Sequence, residues 1–215
     1  MEDIKEFHVV PLTQSNYLVP KSVYFTQDGK KRRWDFVTEH SDVNVLLFNT
    51  SRNVFILVKQ FRPAVYLYNV KSAGSGVKVN TEVFPGSLGV TVELCSGLVD
   101  KENKSLEEVA QAEVLEECGY SISVDDLQKI TKCRNSIGLV GSETTVYYAE
   151  VTDEQKVSGG GGLAEEGELI EVIEVTVDEA RKLIYDEAVN RESGLLVALL
   201  WFFNKVWPHK CGQEH

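Results

Sequence analysis

The chain has 215 residues, of which 43% are hydrophobic and 26% are charged. This length and composition suit one large globular domain and exclude disorder over most of the chain. With 22 Lys and Arg against 33 Asp and Glu, the net charge is −11. Such an acidic protein offers no broad electrostatic attraction to nucleic acids or anionic membranes, so we expect neither as a partner. An anionic substrate would need a metal cation or a local cationic pocket.

The cysteines and the chain ends predict a cytoplasmic protein. The four cysteines lie far apart and form no C-x-x-C pair, which is typical of reduced thiols. Residues 1–6 lack the apolar run of a signal peptide. The most apolar stretch, Leu195–Phe203, is too short to span a bilayer and is interpreted as a core or dimer-facing helix.

The first predicted elements are two β-hairpins. Ser22–Gln27 and Lys31–Thr38 are strand-like and meet at Asp28-Gly29, a strong hairpin signal. They belong to an N-terminal β region, residues 1–42. The apolar runs Val43–Asn49 and Asn53–Phe61 predict a second, buried hairpin.

The rest of the chain alternates strands with a few helices. Residues 70–89 are Gly/Ser-rich and aperiodic, which predicts a loop. Val90–Cys95 predicts a strand and Leu106–Cys118 a helix. The later elements are the strands Lys129–Cys133, Thr144–Val151 and Ile170–Val175 and the helices Val177–Glu187 and Gly194–Val206. This order predicts an α/β (α+β) fold with helices on the faces of a mixed sheet.

The boundaries of the helix 106–118 are marked by end signals. Ser105 and Glu108 form the S-x-x-E pattern of a capping box. Gly119 is a plausible C-terminal stop. We therefore expect this helix to begin after Ser105 and to end before Gly119.

Three glutamates continue the apolar stripe of this helix. Leu106 and Val109 should face the core, and whole turns from them reach Glu113, Glu116 and Glu117. Carboxylates at this spacing are neighbours that repel each other, and the helix contains no Lys or Arg to neutralise them. A divalent cation such as Mg²⁺ or Mn²⁺ would do so. The alternative is a solvated acidic face.

The segment Gly97–Tyr120 resembles a Nudix box, G-x5-E-x7-R-E-U-x-E-E-x-G-U, where U is aliphatic or aromatic. Its end, Glu113–Tyr120, matches the pattern. At its beginning Gly97 comes one residue early, and Lys104 stands in place of the first Glu. Ala112 replaces the Arg that normally helps to hold the box glutamates. These departures leave a catalytically impaired nucleotide-sugar-binding module as an alternative.

Other stretches resemble the branch of ADP-ribose and nucleoside-diphosphate-sugar pyrophosphatases in this family. They are Trp34–Val37, Val58–Tyr66, Val92–Gly97 and Gly162–Ile170. The resemblance implies the Nudix fold, a mixed β-sheet sandwiched between helices, as a hydrolase domain over residues 43–215. It also implies Mg²⁺-dependent hydrolysis of a nucleotide-sugar diphosphate bond, with UDP-glucose converted to UMP and glucose 1-phosphate. Hydrolysis of ADP-ribose or another ADP-sugar is the alternative within the branch.

The resemblance also implies a set of metal ligands and a general base. The implied metal ligands are the Ser96 carbonyl and the side chains of Glu113, Glu116, Glu117 and Glu168. Glu113 and Glu117 would take part in catalysis by holding the ions, with Mn²⁺ a possible substitute for Mg²⁺. Glu166 is the implied catalytic base. It lies on a carboxylate-bearing segment after four glycines, Gly159–Gly162, which we interpret as a hinge.

Four further residues are predicted to bind substrate. Arg62 presents a planar fork for phosphate oxygens or the distal sugar. Trp34 would stack on the base, and Glu93 and Glu143 would lie close to the substrate. The resemblance also implies a homodimer in which residues 1–42 cross to the partner.

Overall fold

A computed structural model describes residues 2–15, 18–71, 76–100 and 103–211, with only the backbone of Glu166 and Cys211. The strands are β1 (Val19–Gln27), β2 (Lys30–Thr38), β3 (Asp42–Asn49), β4 (Val54–Phe61), β5 (Val90–Glu93), β6 (Cys95–Leu98), β7 (Gln128–Arg134), β8 (Glu143–Val151), β9 (Ile170–Thr176) and β10 (Asn190–Arg191). The helices are α1 (Pro63–Val70), α2 (Leu106–Cys118), α3 (Val177–Leu183), α4 (Ser193–Lys205) and α5 (Trp207–Cys211).

The main sheet is mixed and divides around β3 and β4. These two strands pair with each other only near their turn, over Leu47–Asn49 and Val54–Ile56. Away from the turn β3 pairs with β6 and β4 pairs with β5, so the two strands diverge. Strands β8 and β7 extend the sheet beyond β3, β9 lies on the outer edge of β4, and β10 pairs with β5. The divergence opens a cleft at one end of the sheet.

Helices cover both faces of this sheet, because side chains along the central strands alternate between two cores. On β3, Val43, Val45 and Leu47 face a core that includes the apolar side of α2. Leu46 and Phe48 face the opposite core, under α3 and α4. The predicted arrangement of a mixed sheet between helices is therefore confirmed.

Most of the predicted elements are present, but the bounds of several differ. Strand β1 begins at Val19, three residues before the predicted start at Ser22. The run Val90–Cys95 is not one strand, because the chain changes partner at Leu94, from β4 to β3. The helix predicted over Val177–Glu187 ends at Leu183. The short helix α1 was not predicted: Pro63 starts it, and its eight residues are too few to show a clear period.

The segment 70–89 contains little regular structure where it is described, in accord with the predicted loop. It ends in a short 3-10 turn, Gly86–Gly89. The N-terminal segment packs on it, since Val9 N–H donates to the Val77 carbonyl at 3.1 Å. Residues 72–75 of this predicted loop lie outside the described residues.

The predicted N-terminal hairpin is also present. Strands β1 and β2 form their own two-stranded sheet, and most of their residues are exposed. This hairpin contacts the domain through Trp34, whose indole N–H donates to the Gly138 carbonyl at 2.9 Å. None of the described helices combines the length and the apolar character needed to cross a membrane.

Candidate active site

A cavity of about 460 Å³ lies in the cleft between the diverging strands. The start of β3, the ends of β4 and β5, β6 and the last turns of α2 contribute its walls. Its lining residues are Asp42, Asn44, Gln60, Arg62, Glu93, Ser96, Gly97, Leu98, Asp100, Glu113, Glu116, Glu117, Glu168 and Glu192. The lining therefore holds eight carboxylates and one guanidinium among the described residues, so it is strongly acidic.

Helix α2 places Glu113, Glu116 and Glu117 in the wall of this cavity. It begins after the predicted capping box, in which Ser105 Oγ accepts from Glu108 N–H at 3.1 Å and Ser105 N–H donates to the Glu108 carboxylate at 2.7 Å. It ends at Gly119, which has a left-handed φ of 76°. Val109 is buried in the core, and the same face carries Glu117 to the cavity wall. Burial of Glu117 argues against a solvated acidic face at this residue, whereas binding of a cation by Glu113, Glu116 and Glu117 stays a prediction.

Glu117 is the most unusual of these carboxylates, because only 3% of it is exposed. Burial is the main cause that raises its pKa, to about 8, and the nearby charges of Glu113 and Glu168 add to the effect. The Ser96 N–H opposes it by donating to Glu117 Oε2 at 3.0 Å. Because burial and nearby like charges disfavour the ionised form of Glu117, a cation bound beside it would stabilise the carboxylate.

Gly97 and Glu113 are packed so closely that a side chain at position 97 would displace the Glu113 carboxylate. A Cβ built on Gly97 would lie 2.1 Å from Glu113 Cδ. The glycine that opens the box therefore makes room for the Glu113 carboxylate beside β6. Its neighbour Ser96 lines the same cavity. The backbone of β6 and the glutamate-bearing face of α2 therefore both contribute predicted metal ligands to this cavity.

Arg62 and Glu93 form an ion pair that lines the same cavity. Arg62 Nε donates to Glu93 Oε1 at 2.9 Å and its Nη2 donates to Oε2 at 2.6 Å, which is a bidentate fork. Glu93 also accepts from Gln60 Nε2 at 3.1 Å. Hydrogen bonds from Arg62 to Glu93 raise the pKa of the guanidinium. The pair keeps one cation of fixed orientation in an otherwise acidic cavity.

The polyglycine segment is anchored to the end of α2. The N–H groups of Gly161 and Gly162 donate to the carbonyls of Glu117 and Glu116 at 2.8 and 3.1 Å, so they satisfy acceptors that a helix end leaves unpaired. A Cβ on Gly160 would lie 2.2 Å from the Glu117 carbonyl oxygen. The close approach of two backbones therefore requires a glycine at position 160, while the hinge over Gly159–Gly162 stays a prediction.

This anchor brings the following turn to the cavity. Glu168 lines the cavity, and its Oε2 accepts from Leu163 N–H at 2.8 Å. Glu166 ends the 3-10 turn Ala164–Glu166 two residues earlier. The side chain of Glu166 lies outside the described part of the structure, so its role as the base stays a prediction.

Two predicted substrate-binding residues are not brought to the cavity of this chain. Trp34 lies on the exposed hairpin, 49% exposed, with its indole bound to Gly138. Glu143 starts β8 and pairs with Lys132 and, at 3.0 Å, with Arg134. These ion pairs give Glu143 a structural role in the ladder between β7 and β8, apart from the cavity.

Several lining residues of the cavity were not predicted from the sequence, among them two on β3 and one at the start of α4. Asp42 and Asn44 line the cavity from the start of β3, and Glu192 lines it from the start of α4. Burial raises the pKa of Asp42 and raises that of Glu192 to about 7. The alternation of polar Asp42 and Asn44 with Val43 and Val45 is a sequence signal for the first two. Glu192 carries none, because an acidic residue before a helix is usually interpreted as a cap.

The donor set of the cavity fits a hard divalent cation. Its side chains are carboxylates, the ligand type that Mg²⁺ and Mn²⁺ prefer, and like charges crowd around the buried Glu117. Among the described residues, no three His, Cys, Asp or Glu side chains are already close enough together to hold an ion. A complete ligand set would therefore include groups of other kinds, such as the Ser96 carbonyl.

Similarity to known proteins extends over nearly the whole chain. It is 45% identical over 217 residues to uridine diphosphate glucose pyrophosphatase NUDT14 of Bos taurus, spanning 97% of this chain and 98% of that protein. The Mus musculus protein of the same name is 44% identical over 218 residues. GDP-mannose pyrophosphatase of Citrobacter koseri is 26% identical over 176 residues, 79% of this chain and 80% of that protein.

The fold has a counterpart among solved structures. A crystal structure of an ADP compounds hydrolase superposes with a TM-score of 0.63 at 17% identity, covering 94% of this chain and 95% of the other. At this identity the likeness shows a shared fold. A scan against protein-family models found no match.

Proposed function

Because the chain belongs to the Nudix hydrolase family, we propose that it hydrolyses the diphosphate bond of nucleoside-diphosphate sugars. The main substrate is UDP-glucose, which is cleaved to UMP and glucose 1-phosphate. The observation that carries the proposal is the single cavity that the buried Glu117 shares with the Arg62–Glu93 ion pair. The choice of UDP-glucose is supported by relatives named for that substrate at 44–45% identity.

The reaction depends on Mg²⁺ held by the Ser96 carbonyl and by Glu113, Glu116, Glu117 and Glu168. When bound, the ions screen the phosphate charge, orient the attacking water and lower its pKa. The support is that these carboxylates line one cavity, where the charges of Glu113 and Glu168 raise the pKa of Glu117, and a bound cation relieves this repulsion. Mn²⁺ has the same preference for oxygen ligands and is expected to substitute.

Side chains of the protein bind the phosphate groups and accept the proton of the attacking water. Arg62, held in one orientation by Glu93, binds the phosphate oxygens of the substrate through its free N–H groups. Glu166 accepts the proton of the water as its oxygen attacks phosphorus, and the bond from that phosphorus to the bridging oxygen breaks. The leaving phosphate carries the electron pair of that bond. Glu168 anchors the turn that carries Glu166.

The departures from the box at Lys104 and Ala112 do not favour a pure binding module. A module without catalysis has no need for so many carboxylates around a phosphate site, since they repel the ligand. In this chain the Ser96 N–H hydrogen bond orients Glu117 from the strand side. That contact does not depend on an arginine at position 112.

We further propose that the protein is a cytoplasmic homodimer that assembles through the N-terminal hairpin. Two strands alone are marginally stable in water, and this hairpin exposes Val23, Tyr24, Phe25 and Trp34. Burial of this surface in a second copy would place Trp34 near the partner's site. Light scattering on the full chain tests the assembly, and a monomer at micromolar concentration contradicts it.

A substrate comparison tests the proposed reaction. Initial rates are measured on UDP-glucose, ADP-ribose and GDP-mannose, each with Mg²⁺ and with EDTA, and the nucleotide product is identified by chromatography. We expect Mg²⁺-dependent UMP release from UDP-glucose to have the highest kcat/KM. Faster AMP release from ADP-ribose would assign the chain to the alternative substrate. Tight binding of UDP-glucose without turnover would support the binding module.

A further inference from the structure

Leu94 lies at the point where the sheet divides. Before it, β5 pairs with β4, and after it, β6 pairs with β3. A residue between two ladders needs another partner for its backbone N–H, because a buried donor left unpaired is costly. Leu94 is fully buried, and its N–H donates to Glu192 Oε1 at 3.0 Å. A side chain 98 residues further along the chain therefore completes the backbone hydrogen bonding at the split.

The second oxygen of Glu192 reaches the other side of the split. Asn44 Nδ2 lies 3.4 Å from Glu192 Oε2. Asn44 is also the residue of β3 that pairs with Ser96 of β6. One carboxylate thus contacts both the junction of β5 and β6 and the strand β3, which pairs with β6.

The local structure of α4 favours this use of Glu192. Glu192 is the N-cap residue of α4, yet its side chain makes no capping hydrogen bond and points to the sheet instead. Two residues later, a Cβ on Gly194 would lie 2.7 Å from Asn44 Nδ2. Where the first turn of α4 contacts the strands of the cavity, the helix therefore lacks a side-chain cap and has a glycine at position 194.

We propose that Glu192 is a positioning residue of the active site, acting through Leu94. The residues that flank the held amide are Glu93, which orients Arg62, and Cys95, which is followed by the proposed ligand Ser96. Fixing Leu94 fixes the spacing between the phosphate-binding wall and the metal-binding wall. This role rests on the proposed hydrolysis and adds to it a residue outside the box.

Two variants of Glu192 distinguish a role in positioning the Leu94 backbone from a role of the negative charge of its carboxylate. Glu192→Gln keeps one oxygen that accepts from Leu94 N–H and gives up the 3.4 Å contact with Asn44 Nδ2, whereas Glu192→Ala removes both acceptors. Residues that support metal ligands typically change activity or metal affinity by about 10- to 100-fold when removed. We expect kcat/KM for UDP-glucose and the affinity for Mg²⁺ to fall by about that range in Glu192→Ala. In Glu192→Gln both stay within about threefold of wild type.

Thr176→Ala is the matched control for a purely structural loss. Thr176 is the N-cap of α3, where its side chain accepts from Glu179 N–H at 3.3 Å, and it does not line the cavity. Its removal lowers the unfolding temperature without altering the Mg²⁺ dependence of the folded enzyme. If Glu192→Ala behaves like Thr176→Ala, Glu192 is only structural and the proposal is wrong. If kcat/KM and Mg²⁺ affinity fall as far in Glu192→Gln as in Glu192→Ala, the negative charge of Glu192 is what matters. The proposed positioning role is then wrong.

Amide hydrogen exchange of the metal-free protein gives a readout independent of turnover. We expect exchange in the segment 90–98 to accelerate in Glu192→Ala and to remain near wild type in Glu192→Gln. If wild type does not hydrolyse nucleotide sugars, the proposed function fails, while this exchange pattern still decides whether Glu192 holds the split. Should Glu192→Ala not fold, Glu192→Asp replaces it. Its shorter side chain is expected to restore less protection than glutamine, and equal protection would contradict the proposal.

Discussion

Replacing Glu117 by glutamine is expected to stabilise the metal-free protein while it removes the activity. Glu117 is buried among like charges, and its pKa is raised from 4.5 to about 8. A carboxyl whose pKa is higher in the folded than in the unfolded state holds its proton more tightly when folded. Its contribution therefore opposes folding increasingly as the pH rises from 4.5 to 8. Glutamine has nearly the same shape and does not ionise, so the variant escapes this cost.

The size of the effect follows from the two pKa values. Each pKa unit corresponds to about 1.4 kcal/mol, so retaining Glu117 costs the fold about 3 kcal/mol at pH 7. The buried amide of glutamine loses part of this gain, and we expect a net stabilisation of about 1–3 kcal/mol. For a chain of this length, each kcal/mol raises the unfolding temperature by about 2–4 °C.

The assay is thermal unfolding of wild type and Glu117→Gln in EDTA at several pH values between 4.5 and 8. Glu187→Gln, a change at an exposed carboxylate, is the matched control and is expected to shift little. The stabilisation of Glu117→Gln should be small at pH 4.5 and grow toward pH 8. A difference that does not depend on pH, or a variant less stable than wild type at pH 8, would refute the reasoning.

Three other substitutions test single contacts of the site. In Gly97→Ala the new methyl group displaces the Glu113 carboxylate, so we expect an unchanged circular dichroism spectrum and at least about tenfold weaker Mg²⁺ activation. In Arg62→Lys a point charge replaces the bidentate fork to Glu93, and kcat/KM measured by steady-state kinetics should fall about 10- to 100-fold; a change below threefold would contradict this role. In Gly160→Ala the methyl group meets the backbone of α2 at a positive φ, so denaturant unfolding should show a loss of about 2–4 kcal/mol.

The sequence predicted the parts of the fold that depend on local signals. The capping box and the stop at Gly119 defined α2 to the residue. The Asp28-Gly29 turn and the apolar runs defined the two hairpins. The glutamates of α2 were found because their spacing, read together with the Nudix pattern, placed them on the core-facing side of the helix.

The parts that were missed depend on contacts between distant segments. The run 90–95 is uniformly suited to a strand, and nothing local shows that its pairing partner changes at Leu94. Glu192 looks like an ordinary helix cap, and only the folded chain shows that it binds the Leu94 amide. The run of glycines at 159–162 indicates conformational freedom, and only the folded chain shows that Gly160 lies against the backbone of α2.

The most direct test of the central claim is UMP release from UDP-glucose by wild type, Glu117→Gln and Glu187→Gln, each with and without Mg²⁺. If the buried carboxylates bind the catalytic metal, wild type and Glu187→Gln will release UMP only with Mg²⁺. Glu117→Gln will then lose at least about 100-fold in kcat while remaining folded. Turnover by Glu117→Gln at the wild-type rate, or turnover of wild type that persists in EDTA, would contradict the account.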